Sequence, residues 1–442
     1  MKIAIIGLGF VGLSFAAVLG SKNYSVLGID NDAQKILKIN NNEIPFYEPK
    51  LKKFLTTAQK KSLTVSDDLQ LAVRNSDLIF ITVSTPSLSN GEINLKFIKN
   101  AIIEIGKILK KTKNKPLIII KSTVIPETSE NILLPLLEKF SQKSNGKDFG
   151  FMTNPEFLRE GRAIDDTLNP HIIVLGGKND DYMKKLKKLY SILYKKTTPM
   201  IITNYSNAEL IKYANNSFLA TKISFINQLA NLCQKIPNSD VDIVANAIGL
   251  DPRIGNQFLN AGPGFGGSCL PKDLNALINF SSKLGYKNTF LNAVKTTNVK
   301  QAKEILYLLE SILGNLKNKK ITILGVSFKE NSDDIRESVS IKLIRLLLQK
   351  NVKISAHDPK ALFNLKKIFH NKITYSDTIS ESLHYSDCAI IMTPWDEYRN
   401  LKNSDFNAMR KKNLLDTRRL LSTKKLKLNY IAVGIGTSIK QA

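Results

Sequence analysis

Ile3-Ala4-Ile5-Ile6-Gly7-Leu8-Gly9-Phe10-Val11-Gly12 carries a continuous apolar run straight into three spaced glycines. Ile3 to Leu8 reads as a buried strand, Val11 to Lys22 can form one helix, and Ser25 to Asp30 is a second apolar run. Strand, helix and strand over that length make the unit a parallel crossover needs. Within it the glycines have separate tasks. Gly7 permits the tight turn, Gly9 lets backbone approach a pyrophosphate, and Gly12 lets the helix pack close to the sheet. The first helical turn then offers free N–H groups and a positive dipole end to phosphates. Asp30 closes the second strand, where a carboxylate can bind both ribose hydroxyls. An acid there favours NAD over NADP, whose 2′-phosphate it would repel.

Working outward, apolar segments recur at 78–83, 117–121, 149–152 and 172–175, with helix-like stretches at 95–109 and 127–140. This alternation predicts an open, mostly parallel sheet covered on both faces. From about Tyr205 the pattern changes. Ser206 to Gln234 has helical periodicity without proline or glycine and predicts one long helix, followed by helices at 239–248, 271–284 and 291–313. At Lys319 strand and helix alternate again, over 320–324, 339–350, 353–356, 388–392 and 414–416. The expected architecture is α/β: an N-terminal Rossmann domain (1–203), a central all-helical domain (204–315) and a C-terminal Rossmann-like α/β domain (316–442). The second α/β half lacks the glycine fingerprint, so no repeat is legible by motif.

The 442 residues exceed one ordinary core, and 43% hydrophobic with 23% charged residues is a soluble globular profile. No apolar run is long enough to span a bilayer, and the N-terminus reads as folded structure, not a targeting segment. The three cysteines, Cys233, Cys269 and Cys388, do not make a disulfide framework, which points to a reducing, cytoplasmic setting. The formal charge of +26 comes mostly from scattered lysines, with only ten arginines. Without a basic arm, metal-ligand spacing or an aromatic RNA-binding cluster, it reads as a solvated surface that steers anionic substrates, not as a nucleic-acid site.

Three segments carry unusual chemistry. Asn154-Pro155-Glu156-Phe157-Leu158-Arg159-Glu160-Gly161 follows a strand end; if its middle is helical, Glu156 and Glu160 share a face. Lys212 and Asn216 stand four residues apart on the long helix, a cation and an amide donor able to hold an oxyanion. In Gly262-Pro263-Gly264-Phe265-Gly266-Gly267-Ser268-Cys269-Leu270-Pro271-Lys272-Asp273, a cysteine stands just before a helix start. The helix end and Lys272 favour thiolate, and Asp273 lies one turn on. A lone cysteine is ordinarily a small buried side chain, but glycines, lysine and aspartate fit that poorly. Cys269 reads as a nucleophile.

These segments, with Ile44-Pro45-Phe46-Tyr47-Glu48-Pro49, Phe328-Lys329 and Asp333-Asp334-Ile335-Arg336-Glu337-Ser338, resemble the UDP-glucose/GDP-mannose dehydrogenase family over nearly the whole chain. The resemblance implies two oxidations of a nucleotide sugar by NAD through a thiohemiacetal and a thioester on Cys269. It implies Lys212 and Asn216 at the oxyanion, Asp273 positioning the hydrolytic water, Glu156 as acid/base near the sulfur, and Thr123 close to water and cofactor. Cofactor contacts implied are Gly7, Gly9, Val11, Gly12, Asp30, Lys35, Thr85, Thr123, Glu160, Lys272 and Arg336. Substrate contacts implied are Glu156, Phe157, Leu158, Arg159, Glu160, Lys212, Asn216, Phe258, Leu259, Asn260, Ala261, Gly262, Gly266, Phe328, Lys329 and Arg418. Arg253 resembles the arginine a neighbouring subunit contributes, so a homodimer or higher homo-oligomer is expected, with no membrane or nucleic-acid partner. Ser268 resembles the hexose-oxidising branches, since enzymes of N-acetylated sugars tend to carry histidine there. UDP-glucose is taken as the family's commoner substrate, with GDP-mannose and UDP-N-acetylmannosamine as alternatives.

Two rival readings leave residues without work. A single-step β-hydroxyacid dehydrogenase would use Gly7–Gly12 and Lys212 but not Cys269 or the C-terminal domain. A silent NAD-binding scaffold would need none of Cys269, Lys212 and Asp273.

Overall fold

The computed structural model of the chain describes residues 1–178, 180–421 and 426–436. It divides into two compact units, Met1–Asn215 and the remainder from Asn216. The first is built on an eight-stranded sheet of order β3-β2-β1-β4-β5-β6-β7-β8. Its strands are β1 Lys2–Ile6, β2 Ser25–Ile29, β3 Leu63–Ser66, β4 Leu78–Ile81, β5 Leu117–Ile120, β6 Gly150–Thr153, β7 Ile173–Gly177 and β8 Met200–Thr203. All neighbours run parallel except β6 and β7. The pleat explains the near-continuous apolar strands. Ile3, Ile5, Phe80 and Ile119 enter one core with Leu13 and Phe15 of the Phe10–Ser21 helix. Ala4, Ile6, Ile79, Ile81 and Ile118 enter the other, with Ile98, Ile102 and Ile105 of the Lys96–Lys110 helix. Both faces are covered, so neither set of alternate residues can be polar.

The second unit carries a parallel six-stranded sheet of order β11-β10-β9-β12-β13-β14. These are β9 Lys320–Leu324, β10 Lys353–His357, β11 Thr374–Tyr375, β12 Cys388–Ile391, β13 Asn413–Asp416 and β14 Asn429–Ala432. Its order matches that of β3-β2-β1-β4-β5-β6, so a repeat exists in topology although the sequence shows none. Along the chain, the helices from β8 to β9 are Tyr205–Cys233, Val241–Gly249, Leu270–Lys283 and Thr289–Leu313.

Two local expectations need correction. The stretch 154–161 is not helical: it leaves β6 as irregular chain and ends in a turn at Glu160 and Gly161. Pro155 disfavours helix at Asn154, and the buried Glu48 carboxylate takes the N–H groups of Gly161 (2.7 Å) and Ala163 (2.8 Å). Glu156 and Glu160 therefore do not share a helical face. The 127–140 helix divides into a π-helical turn, Ser129–Leu133, and an α-helix, Leu134–Ser141, whose first turn holds Pro135, which cannot donate to the ladder. Among the described residues no helix is long and apolar enough to cross a membrane.

Candidate active site

Gly7 has φ +97°, and a Cβ there would lie 2.9 Å from the Val83 backbone. Its N–H donates to Ile29 across the sheet end (2.7 Å). At Gly12 a Cβ would fall 1.9 Å from the Gly7 carbonyl oxygen, whereas at Gly9 it would meet nothing within 4 Å. The glycine loop is thus closed towards the sheet and open on the side of Gly9. The helix that follows starts with no side-chain cap, leaving its first N–H groups for a phosphate. Asp30 Oδ2 accepts from Leu8 N–H (2.7 Å) and Lys35 Nζ (2.8 Å), and Oδ1 from Asp32 N–H (3.0 Å). Burial pushes this carboxyl up, but the Lys35 ammonium and the two N–H groups outweigh it, holding Asp30 below the usual range. Thr82 donates to the Gly7 carbonyl (2.6 Å) and Thr85 to that of Thr123 (2.7 Å), tying the loops after β1, β4 and β5 together. An open glycine, an uncapped helix end and an ionised strand-end acid fit a dinucleotide's pyrophosphate and ribose.

Beyond β5 and β6 the first unit gathers buried charge. Lys212 Nζ donates to Glu156 Oε1 at 3.1 Å, both side chains under a tenth exposed. Lys212 also lies over the Phe157 ring, 5.3 Å from its centre. Lys121, at the end of β5, donates to Asn154 Oδ1 (2.9 Å), an oxygen that also accepts from the Tyr190 hydroxyl. Burial pulls the Lys121 ammonium down to about 8; Glu156 opposes this and Lys212 adds to it. Arg159 is tied to Asp166 through Nε (2.9 Å) and Nη2 (2.6 Å).

In the second unit Cys269 is the N-cap of the Leu270–Lys283 helix, with Pro271 in its first turn. It is exposed, whereas Cys233 and Cys388 are buried, and its sulfur lies 3.6 Å from the Ser268 hydroxyl. Asp273 is almost fully buried, accepting from Asn216 Nδ2 (2.6 Å) on Oδ2 and Lys272 Nζ (2.6 Å) on Oδ1. The Lys272 ammonium therefore faces this carboxylate.

The glycine segment earns its composition by close packing. Gly267 has φ +82°, and a Cβ there would sit 2.6 Å from the Phe328 ring; at Gly266 it would meet the Glu337 carbonyl oxygen at 2.5 Å. Gly267 N–H donates to the Arg336 carbonyl (2.9 Å), while the Arg336 guanidinium holds Asp334 through Nε (2.9 Å) and Nη2 (2.7 Å). Arg418 donates to the Met392 carbonyl (2.8 Å) and passes 3.1 Å from where a Gly262 Cβ would be. Burial lowers it to about 10, opposed by Glu330 and Asp416. Arg253 is exposed and folds onto Asp251 of its own loop.

Sequence reasoning missed Asn227, which accepts from Gly262 N–H (2.8 Å), and Asn298, which accepts from Phe265 N–H (2.8 Å) and donates to its carbonyl (3.0 Å). It also missed Lys121 and Asp358. Asp358 Oδ2 accepts from the N–H groups of Val326 (2.7 Å) and Ser327 (3.0 Å), as Asp30 does from Leu8. Gly325, with φ +93°, makes the turn there.

A Rossmann sheet with this loop, and a second α/β unit carrying a solvent-facing cysteine at a helix start, define an NAD-dependent oxidoreductase. The family descriptions narrow this. Residues 1–194 match the UDP-glucose/GDP-mannose dehydrogenase family's NAD binding domain, 206–300 its central domain and 322–423 its UDP binding domain. A UDP-glucose 6-dehydrogenase of Rickettsia felis is 38% identical over 98% of this chain and 96% of its own. Among solved structures, a UDP-glucose dehydrogenase from Pyrobaculum islandicum superposes with TM-score 0.91 at 32% identity, covering 98% of both chains. A UDP-D-ManNAc dehydrogenase from Pyrococcus horikoshii gives 0.85 at 25%, covering 98% of this chain and 99% of that one. The chain belongs to the UDP-glucose/GDP-mannose dehydrogenase family.

Proposed function

We propose that this enzyme oxidises C6 of UDP-glucose to the carboxylate, giving UDP-glucuronate, with Cys269 as the covalent carrier. The observation that carries the reading is Cys269 itself: exposed, at a helix N-terminus, in a segment whose glycines leave no room for side chains. Two NAD, bound in turn, would supply the hydride acceptor for the two oxidations. After the first, the Cys269 thiolate adds to the C6 aldehyde and keeps it from escaping as a hydrate. The charge that develops on the hemithioacetal oxygen is stabilised by hydrogen bonds from Lys212 and Asn216, one turn apart on the long helix. Glu156, hydrogen-bonded to Lys212, exchanges the proton. After the second oxidation the acyl group is a thioester, and Asp273, held by Asn216 and Lys272, orients the water that releases the acid. Gly7, Gly9, Val11, Gly12, Asp30, Lys35, Thr85, Thr123, Glu160, Lys272 and Arg336 are the proposed NAD contacts. Residues 156–160, 258–262, Gly266, Phe328, Lys329 and Arg418 are the proposed sugar-nucleotide contacts. The domain division proposed is 1–203, 204–315 and 316–442, supported by the three family matches.

The choice of UDP-glucose rests on the identity of the named relatives and on Ser268. A panel of UDP-glucose, GDP-mannose and UDP-N-acetylmannosamine with NAD, followed by NADH absorbance, tests it. kcat/KM for UDP-glucose should exceed the others at least about tenfold, a gap of about 1.4 kcal/mol. A better rate with either alternative would reassign the substrate. Asp30→Ala should weaken NAD binding roughly ten- to a hundredfold and spare the UDP-sugar. Unchanged NAD affinity by calorimetry would remove Asp30 from the site.

The proposed assembly is a cytoplasmic homodimer through the long helix. Phe218, Phe225 and Leu232 recur at seven-residue spacing and are 64%, 50% and 51% exposed. Such an apolar stripe on a helix is the seam a second copy covers. Phe218→Glu with Phe225→Glu should sediment as monomer; a dimer retained would move the interface elsewhere.

A further inference from the structure

Glu209 lies three residues before Lys212 on the long helix, hence on the same face, and is 2% exposed. Its Oε1 accepts the Ser129 N–H at 2.9 Å, and the Ser129 hydroxyl is 2.8 Å from that of Thr153. Its Oε2 is buried with no hydrogen-bond partner among the described residues. Glu209 also lines a narrow recess with Thr123, Thr153, Pro155 and Lys212, with room for about one water molecule. A buried carboxyl oxygen with no partner is costly unless a water in the recess, which Lys212 and Thr123 also line, satisfies it.

We propose that Glu209 is a positioning residue of the oxidation: through one water in the recess, its second oxygen orients the Lys212 ammonium and the Thr123 hydroxyl. This rests on the reading of Lys212 as the oxyanion's partner. Burial pushes the Glu209 carboxyl up to about 7; the Ser129 hydrogen bonds oppose this and Glu130 adds to the rise. The charged groups around it are Glu130 and, lining the same recess, Lys212, which in turn faces Glu156 after β6 and Lys121 at the end of β5. Below pH 7 the carboxyl is neutral and donates to the bridge while leaving the Lys212 charge undiminished. Above pH 7 a second carboxylate shares the recess with Lys212 and offsets the stabilisation it gives an oxyanion.

Glu209→Gln keeps the shape and stays neutral at every pH. The ratio of its kcat to that of the wild type should be near one at pH 6 and rise severalfold through pH 7 to pH 9. KM for the sugar should stay within about twofold, since the effect is on the reacting state. Taking the ratio cancels titrations common to both enzymes. A flat ratio, or one that falls with pH, would overturn the proposal. Should the variant not fold, the wild-type holoenzyme still decides: infrared difference spectra should show a buried carboxyl losing its proton near pH 7, and none doing so would also overturn it. If UDP-glucose is not oxidised, the panel above fails first, and the ratio is read with whichever nucleotide sugar is turned over.

Discussion

Cys269→Ser should abolish conversion of the sugar to the acid, lowering the rate roughly a thousandfold or more, about 4 kcal/mol of barrier. A serine hydroxyl at the same helix start is a far weaker nucleophile near neutral pH and forms an ester, not a thioester, if it adds at all. Binding should survive, because an exposed thiol contributes no packing that a hydroxyl would lose. NAD and sugar dissociation constants should therefore stay within a fewfold of wild type while product carboxylate disappears. Product analysis by mass spectrometry checks this. Acid formed at a normal rate by the serine variant would reject the cysteine as carrier.

Lys212→Ala should act twice. On activity, loss of the proposed oxyanion partner should lower kcat about a hundred- to a thousandfold, or 2.7–4 kcal/mol. On stability, it removes the buried ion-pair partner that Glu156 has at 3.1 Å, leaving Lys121 as the cation acting on that carboxylate, at a cost of up to about 3–5 kcal/mol. The two effects separate in a double variant. Lys212→Ala with Glu156→Gln removes both charges and should recover much of the stability, measured by thermal denaturation, with no recovery of turnover. If the single variant retained kcat within tenfold, Lys212 would be a structural partner of Glu156 and nothing more.

The fold was legible where the signal is local. Ile3–Gly12 states strand, turn and helix within ten residues, and the unbroken 206–234 periodicity matches the Tyr205–Cys233 helix. What escaped was short or exposed: β3 at the sheet edge, and β8, whose Ile201 and Ile202 face outward, are four-residue strands. The repeat of the sheet escaped because Ser327 and Glu330 occupy the places of Gly9 and Gly12, though Gly325 and Asp358 keep the turn and its carboxylate. At the site, spacing could put Lys212 beside Asn216, but not Glu156 on Lys212 or Asp273 on Asn216, since those pairs join distant segments. Glu209 and Lys121 gave no signal at all. An acid early in a helix reads as a dipole partner and a strand-end lysine as surface, and only their burial marks them otherwise.

The central claim is that one sulfur carries the sugar through two oxidations. A single-turnover reaction of excess enzyme with NAD and UDP-glucose, quenched in acid and digested, measures this directly. The expected result is two NADH for each UDP-glucuronate formed, with a transient acyl adduct on the peptide bearing Cys269. One NADH per sugar with a free aldehyde released, or an adduct on another residue, would contradict it.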